Sequence, residues 1–253
     1  MRYLRAYLRL SFIVLMLISG TALFLLTAWI PLKIRRIRFS AWFTMWMGRI
    51  ALWLLGVKVE APSARELNTH EGFLFPNHCT YLDILLLVAI LPVRFVAKEE
   101  VRRFPLIGYL AAAVGCVFVR REDKESRTAA RRQLADIEPF PPIVLYPEGT
   151  RNPGDTLLPF RYGAFEIAVQ GQVPFIPVAI MYDRPDICLW SKKESIVTAV
   201  LRLASRQGAV KATVRFLPTI HPQPTDDPIT LAQTTHSAML AVLSTEGAYQ
   251  QVS

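Results

Sequence analysis

An α/β fold, with a mostly parallel central sheet flanked by helices and an N-terminal hydrophobic helical membrane anchor, is what this 253-residue sequence predicts. Three observations predict it. Residues 10–32 form a stretch of 23 residues without a charge. From residue 58 onward, short apolar runs alternate with segments of helical composition, as when strands are joined by crossover helices. The two most distinctive polar clusters, around His78 and around Glu148, each end an apolar run. An open parallel sheet keeps its site there, beyond the carboxyl ends of its strands.

The anchor comes first. As a helix, residues 10–32 would be roughly 34 Å long, enough to cross a hydrocarbon core of about 30 Å. A secretory signal fits less well, because the stretch is longer than a signal core and no small-x-small cleavage site leads into a polar start. A basic run follows (Lys33, Arg35, Arg36, Arg38), then a second apolar stretch over 39–57 that carries Trp42, Trp46 and Trp53 and one charge, Arg49. Tryptophan favours the headgroup level, so this stretch suits the interface. Arg2, Arg5 and Arg9 precede the first stretch, so basic residues flank it on both sides and give no orientation. Two arrangements stay open: a shallow hairpin or interfacial pair, or a single span with the second helix packed on the following domain. Residues 1–57 are read as the anchoring segment and 58–253 as the domain behind it. Its basic clusters attract anionic headgroups, at about 1 kcal/mol per charge near the surface.

Within the domain, 72–76 reads as a strand that ends at Asn77-His78. Residues 83–91 read as a buried helix stopped by Pro92, and 93–97 as a second strand. A helical stretch over 99–113 is interrupted at Pro105. A third strand over 114–119 precedes a helix over 124–137. The short strand 143–146 leads into Pro147-Glu148. A helix over 159–171 and a strand over 175–181 follow. Residues 210–217 alternate and suit an edge strand, and 230–243 close the chain as a helix.

Composition narrows the chemistry. Hydrophobic residues make up 52 % and the net charge is +9, which together favour an anionic membrane surface as partner. The basic residues flank apolar segments and form no base-reading element, so no nucleic acid is expected. Cys79, Cys116 and Cys188 are odd in number and widely spaced, which argues against a disulfide framework or a zinc site. No metal and no glycine-rich nucleotide loop is expected.

His78 and Asp83 are five residues apart. On one continuous helix they would diverge by roughly 140°, so they meet only if His78 lies in the loop before the helix. Thr80 then suits the N-cap and Asp83 the first turn, where the helix dipole favours a carboxylate. Asp83 can take one imidazole nitrogen and leave the other as a base towards a hydroxyl. Such a pair arises by chance about one time in eight in a chain of this composition, so its place at a strand end carries the argument. Cys79 is a rival nucleophile, although a free cysteine is more often a small apolar filler.

Glu148-Gly149-Thr150-Arg151 is the second cluster. Arginine presents a planar fork to phosphate oxygens. Gly149 permits a tight turn that aims backbone N–H groups at an anion. Glu148 can hold Arg151 or another basic side chain, and a salt-bridged turn is the plainer alternative. Residues 115–121 deliver Arg120 and Arg121 from a strand end, beside a mixed charge cluster. Val173, Pro174, Phe175, Ile176 and Pro177 either line an acyl groove or form a core strand.

Taken in order, these blocks resemble the glycerophospholipid acyltransferase family, in its bacterial 1-acylglycerol-3-phosphate acyltransferase branch. The resemblance covers roughly residues 77–178. Its first block is His78 and Asp83, its second Gly115, Phe118 and Arg121. Its third is Glu148, Gly149, Thr150 and Arg151, and its fourth the apolar stretch around Val173. The resemblance implies that His78 acts as base and Asp83 orients it, while the acceptor hydroxyl attacks a thioester of acyl-CoA or acyl carrier protein. It implies no cofactor and no acyl-enzyme. It assigns the acceptor phosphate to the Gly149–Arg151 block with Arg121. A lysine common after the third block is Arg161 here, and Arg120 stands where an aspartate is frequent. The expected reaction is acylation of the 2-hydroxyl of lysophosphatidate at a bacterial inner membrane, with the catalytic domain on the cytoplasmic side. Alternatives are another lyso-lipid acceptor, such as lyso-ornithine lipid, or a lipid-binding scaffold without turnover.

Overall fold

A computed structural model describes the protein over residues 2–27, 32–62, 64–104, 107–113, 115–120, 123, 125, 129, 134, 138–150, 156–190 and 194–246. Helix α1 (Arg2–Thr27) and helix α2 (Phe39–Leu54) open the chain, joined through a small hairpin of β1 (Lys33–Ile34) and β2 (Ile37–Arg38). Within α1, Ala6–Phe24 is the single helical segment, among the described residues, long and apolar enough to cross a membrane. Leu8, Phe12, Leu15 and Ile18 are exposed on it. α1 meets α2 at Gly20, where a Cβ would fall 2.6 Å from Met47 Cε. The absent side chain lets the two helices approach. α2 has 16 residues, about 24 Å of helix, which is short for a bilayer crossing.

Seven strands form the main sheet: β3 (Val57–Glu60), β4 (Phe73–Pro76), β5 (Arg94–Lys98), β6 (Val117–Val119), β7 (Ile143–Val144), β8 (Phe175–Tyr182) and β9 (Val210–Phe216). Their order is β3-β9-β8-β4-β7-β5-β6. β8, β4, β7, β5 and β6 run parallel, and β9 lies antiparallel to β8. β9 is therefore interior. The expectation of an edge strand over 210–217 is corrected, because β3 pairs parallel on its outer side from Val57↔Val210 to Glu60↔Thr213. β3 went unread as a strand because it directly continues the apolar helix before it.

The sheet pleat separates two cores. Leu74, Val144, Ile176, Val178 and Ile180 point to one face, under α3 (Leu82–Ile90) and the helix α7 (Ile196–Ser205). Phe73, Phe75, Ile143 and Phe175 point to the other, under α5 (Tyr162–Gly171) and α8 (Pro228–Thr245). Alternation along a pleated strand requires this division. On the second face the rings of Phe75 and Phe165 meet edge to face at 5.1 Å, a preferred aromatic geometry. α2 packs on α3, with the buried Gly48 against Val88 and Ala89 and Arg49 bonded to Ala89 O, while Ala41 packs with Ile37 and Phe140. α2 therefore packs on the following domain, and Trp46 and Trp53 stay exposed on it.

The helical stretch over 99–113 appears as a 3-10 helix, Glu99–Arg103, followed by α4 (Ile107–Ala113). Pro105 lies outside the described residues, as does most of the helix expected over 124–137, whose described positions Glu125, Ala129 and Leu134 are helical. A short helix α6 (Pro185–Cys188) and α7 were not anticipated; they follow β8 and return the chain to β9.

Candidate active site

The carboxyl ends of β4, β7, β6 and β8 share one edge of the sheet, and the site is assembled there. Asn77 follows β4 and is fully buried. Its side chain donates to Ile180 O at 3.0 Å and accepts from Ile180 N at 2.7 Å. This reciprocal pair extends the β4–β8 ladder by one step and fixes where the next residue leaves the sheet.

That residue is His78. Its backbone N–H donates to Glu148 Oε1 at 2.7 Å, and its Nδ1 lies 2.9 Å from Asp83 Oδ2. A carboxylate only accepts, so Nδ1 carries the proton and Nε2 is the basic nitrogen. The imidazole side chain is 19 % exposed and Asp83 is completely buried. The predicted pair therefore meets, through the loop geometry its spacing demanded.

Its support differs from expectation. Thr80 is not the N-cap: α3 starts after Tyr81, which makes no side-chain cap, and the Thr80 hydroxyl is buried without a partner among the described residues. Asp83 instead reaches back from the first turn. Its Oδ2 accepts from Cys79 N at 2.7 Å and Thr80 N at 2.8 Å, besides the imidazole. Its Oδ1 accepts from the Tyr182 hydroxyl at 2.6 Å. One carboxylate thus closes the loop and orients the base. Burial first, and then the Asp83 charge, hold the Tyr182 phenol well above its ordinary pKa, so it remains a donor.

Cys79 is buried, and its Sγ takes the Asn77 amide at 3.3 Å. Its burial fits the small apolar filler reading. Burial also pushes the Cys188 thiol up to about 12 and the Cys116 thiol up to about 11.

The third block folds as a turn after β7. Gly149 N donates to Tyr146 O at 3.0 Å, and Gly149 has φ +68°, a conformation glycine adopts freely. A Cβ there would fall 2.7 Å from Arg161 Cδ and Nε, so the Arg161 side chain lies directly over the glycine. Glu148 is buried and accepts from His78 N and from Leu158 N at 3.1 Å. It ties the third block to the first, a role the tetrapeptide alone did not suggest. Thr150 is exposed; Arg151 and Arg121 lie outside the described residues.

Tyr146 is the wall shared by the base and a cavity. Its ring stacks on the His78 ring with centroids 4.1 Å apart. It also lines a cavity of about 1100 Å³ that runs from Gly149 and Arg161 along the α5–α8 face of the sheet. Val119, Leu145, Phe160 and Ile167 make that wall apolar, and Gln233, His236 and Ser237 of α8 add polar groups to it. Among the described residues that line it, none is Asp or Glu. The size and the mixed lining suit a ligand with a long apolar part and one anionic end.

Other expected site residues are placed elsewhere. Val173, Phe175, Ile176 and Pro177 are buried and belong to or border the central strand β8, and neither they nor Pro174 lines the cavity. The core-strand alternative holds for that stretch, because a parallel strand covered on both faces is apolar throughout. Gly115 has φ +83° and sits against the Arg94 stem, 3.3 Å from the position of a Cβ. Phe118 alternates away from the cavity-lining Val119 and lies under the Arg102 guanidinium at 4.8 Å. Tyr146, Tyr182 and the α8 residues were missed. Strand-end position was a usable signal for both tyrosines; nothing in the sequence linked α8 to residues 70 positions earlier.

Comparison with known proteins agrees with this geometry. The sequence model of the Acyltransferase family matches residues 57–181. A lyso-ornithine lipid O-acyltransferase of Rhizobium meliloti (strain 1021) is 36 % identical over 168 residues, which are 64 % of this chain and 53 % of that protein. The chain thus spans about half the length of that relative. The 1-acyl-sn-glycerol-3-phosphate acyltransferase alpha of Mus musculus is 31 % identical over 205 residues, 78 % of this chain and 68 % of that one. The crystal structure of the 1-acyl-sn-glycerophosphate acyltransferase PlsC from Thermotoga maritima superposes with a TM-score of 0.73 at 19 % identity, covering 99 % of this chain and 100 % of that one. That likeness establishes the fold.

Proposed function

The chain belongs to the Acyltransferase family, and from that premise we propose that it moves a fatty acyl group from an acyl thioester to the hydroxyl of a lyso-lipid at a membrane. The observation that carries this reading is the His78–Asp83 contact at 2.9 Å, beside a cavity large enough for a lipid. In the proposed reaction His78 Nε2 takes the proton of the acceptor hydroxyl. The hydroxyl oxygen attacks the thioester carbon, the C–S bond breaks, and the thiolate leaves with the proton returned from the imidazolium. Asp83 stays ionised throughout and holds the ring. Buried Cys79 supports direct transfer without an acyl-enzyme. The donor is acyl-CoA or acyl carrier protein, and the reaction needs no cofactor in this reading.

For the acceptor we propose lysophosphatidate, acylated at its 2-hydroxyl. Arg161 offers a cation beside the Gly149 turn at one end of the cavity, and no described residue of its lining is a carboxylate that would pair with an ammonium. A phosphate monoester fits that lining better than a zwitterion. Arg151 and Arg121 join the phosphate site through their place in the motifs. A second reading, lyso-ornithine lipid, is favoured by the 36 % identity to the Rhizobium meliloti acyltransferase. Purified protein assayed for free-thiol release with both acceptors and with acyl-CoA or acyl carrier protein decides between them. Turnover with lysophosphatidate alone supports the first reading, turnover with lyso-ornithine lipid alone replaces it, and no acceptor-dependent thiol release removes the enzymatic claim.

A further inference from the structure

A second groove, of about 640 Å³, lies under α2 at the far end of α3 from the catalytic pair. Ala89 and Ile90, in the last turn of α3, line it, while Asp83 is in the first turn. The helix puts roughly 10 Å between Asp83 and Ile90, and none of the groove's lining residues lines the cavity beside His78.

The groove is open to solvent and combines cations with indole rings. Arg35, Arg49, Trp42, Trp46 and Trp53 surround it, and no acidic residue does among the described residues. Arg49 is held in place: its Nε donates to Ala89 O at 2.8 Å and its guanidinium lies 5.0 Å from the Trp46 ring centroid. Those contacts leave its terminal nitrogens for a ligand. Arg35 has no hydrogen bond or ion pair among the described residues.

The backbone that presents Arg35 is strained. Arg35 and Arg36, the two residues between the paired Ile34 and Ile37, have φ of 52° and 67°. A two-residue hairpin of this hand favours Asn-Gly or Gly-Gly, and side-chain-bearing residues adopt it at a cost. Arg36 fastens the turn by bonding Glu71 at 2.5 Å and lying 5.1 Å from the Phe140 ring centroid. Trp42 Nε1 adds a bond to Ile34 O at 3.2 Å. The turn is thus clamped in a conformation that sends Arg35 towards the groove, where no described residue compensates its charge. Strain kept at such a position marks a functional constraint.

We propose that this groove binds the headgroup of an anionic bilayer phospholipid, with its phosphate between Arg35 and Arg49. The tryptophans flank the glycerol region. Charge complementarity selects an anion, and the exposed Trp46 and Trp53 select a ligand presented at a membrane surface. The bound lipid holds α2 at a fixed depth. The inference rests on the membrane placement in the proposed function and not on chemistry at His78.

The test uses the full chain reconstituted in phosphatidylcholine vesicles, with tryptophan emission read during quenching by brominated phosphatidylglycerol or brominated phosphatidylcholine at equal mole fraction. Wild type is quenched more by the anionic lipid. Arg35→Gln lowers that preference about fivefold, the effect of one arginine near an anionic surface. Arg35→Gly, which also relieves the backbone, lowers it equally. Arg38→Gln removes a charge from the same hairpin but outside the groove and lowers the preference less than Arg35→Gln does. Equal quenching of wild type by both lipids, or an equal loss with Arg38→Gln, overturns the groove while membrane placement stands. Quenching by neither lipid overturns the membrane placement itself.

Discussion

The Tyr182 hydroxyl donates to Asp83 Oδ1 at 2.6 Å, on the carboxylate oxygen that the imidazole does not use. This places three side chains in one line from the end of β8 to the basic nitrogen of His78. Removing the hydroxyl leaves the buried carboxylate short of a donor, a loss of about 1.5–3 kcal/mol for a bond to a charged group. Tyr182→Phe should therefore lower kcat about tenfold with acceptor KM little changed. An unchanged kcat would show that Tyr182 is only packing.

His78→Ala removes the base and leaves the loop, because the backbone N–H to Glu148 persists. Activity should fall by roughly 10²–10⁴, the contribution of a positioned base, with thermal stability near wild type. Asp83→Asn should lose activity and stability together. Asp83 Oδ2 accepts from both Cys79 N and Thr80 N, and one amide oxygen cannot replace the full set. The expected destabilisation is about 1–3 kcal/mol by denaturant or thermal melting.

At Gly149 both conformation and space are restricted. With φ +68° and a hypothetical Cβ at 2.7 Å from Arg161, Gly149→Ala displaces the Arg161 side chain. Acceptor KM should rise about tenfold, as expected for one lost charge-assisted contact, while slow thioester hydrolysis without acceptor stays near wild type. A matching rise with Arg161→Ala, and no further rise in the double variant, would assign both effects to one contact.

Cys79→Ala should retain activity within a few-fold. The thiol is buried and the Asn77 amide keeps its bond to Ile180 O. Loss of all turnover with the fold intact, or an acylated cysteine trapped by mass spectrometry, would return the nucleophile to consideration.

The cavity makes a chain-length prediction. Ala232 lines it from α8. Ala232→Leu intrudes on the apolar wall and should raise KM for long acyl chains several-fold over short ones. An unchanged chain-length profile in the thiol-release assay would put the acyl chain elsewhere.

Much of the fold was legible because period and punctuation are local properties. The strand ending at Asn77, the helix stopped by Pro92 and the apolar run into Pro147 each announce themselves within ten residues. β3 and the interior place of β9 were not legible, since strand order depends on which backbone edges are left unpaired when the sheet closes. The short strand β7, only Ile143–Val144, is central in the sheet, yet two residues carry no period.

The sequence by itself determined the residues with chemistry to offer: an imidazole and a carboxylate at a separation that only a loop can close, a glycine turn, a long uncharged helix and a surplus of cations. Only the tertiary structure decided their partners. It gave Glu148 to the backbone of His78, Tyr182 to Asp83, and α8 to the wall of the cavity. The physical reason is that hydrogen bonds and packing act over a few ångströms in space. Chain separations of 70 and 99 residues, as in the first two of these contacts, become such distances only when strand ends are brought to one edge of a sheet.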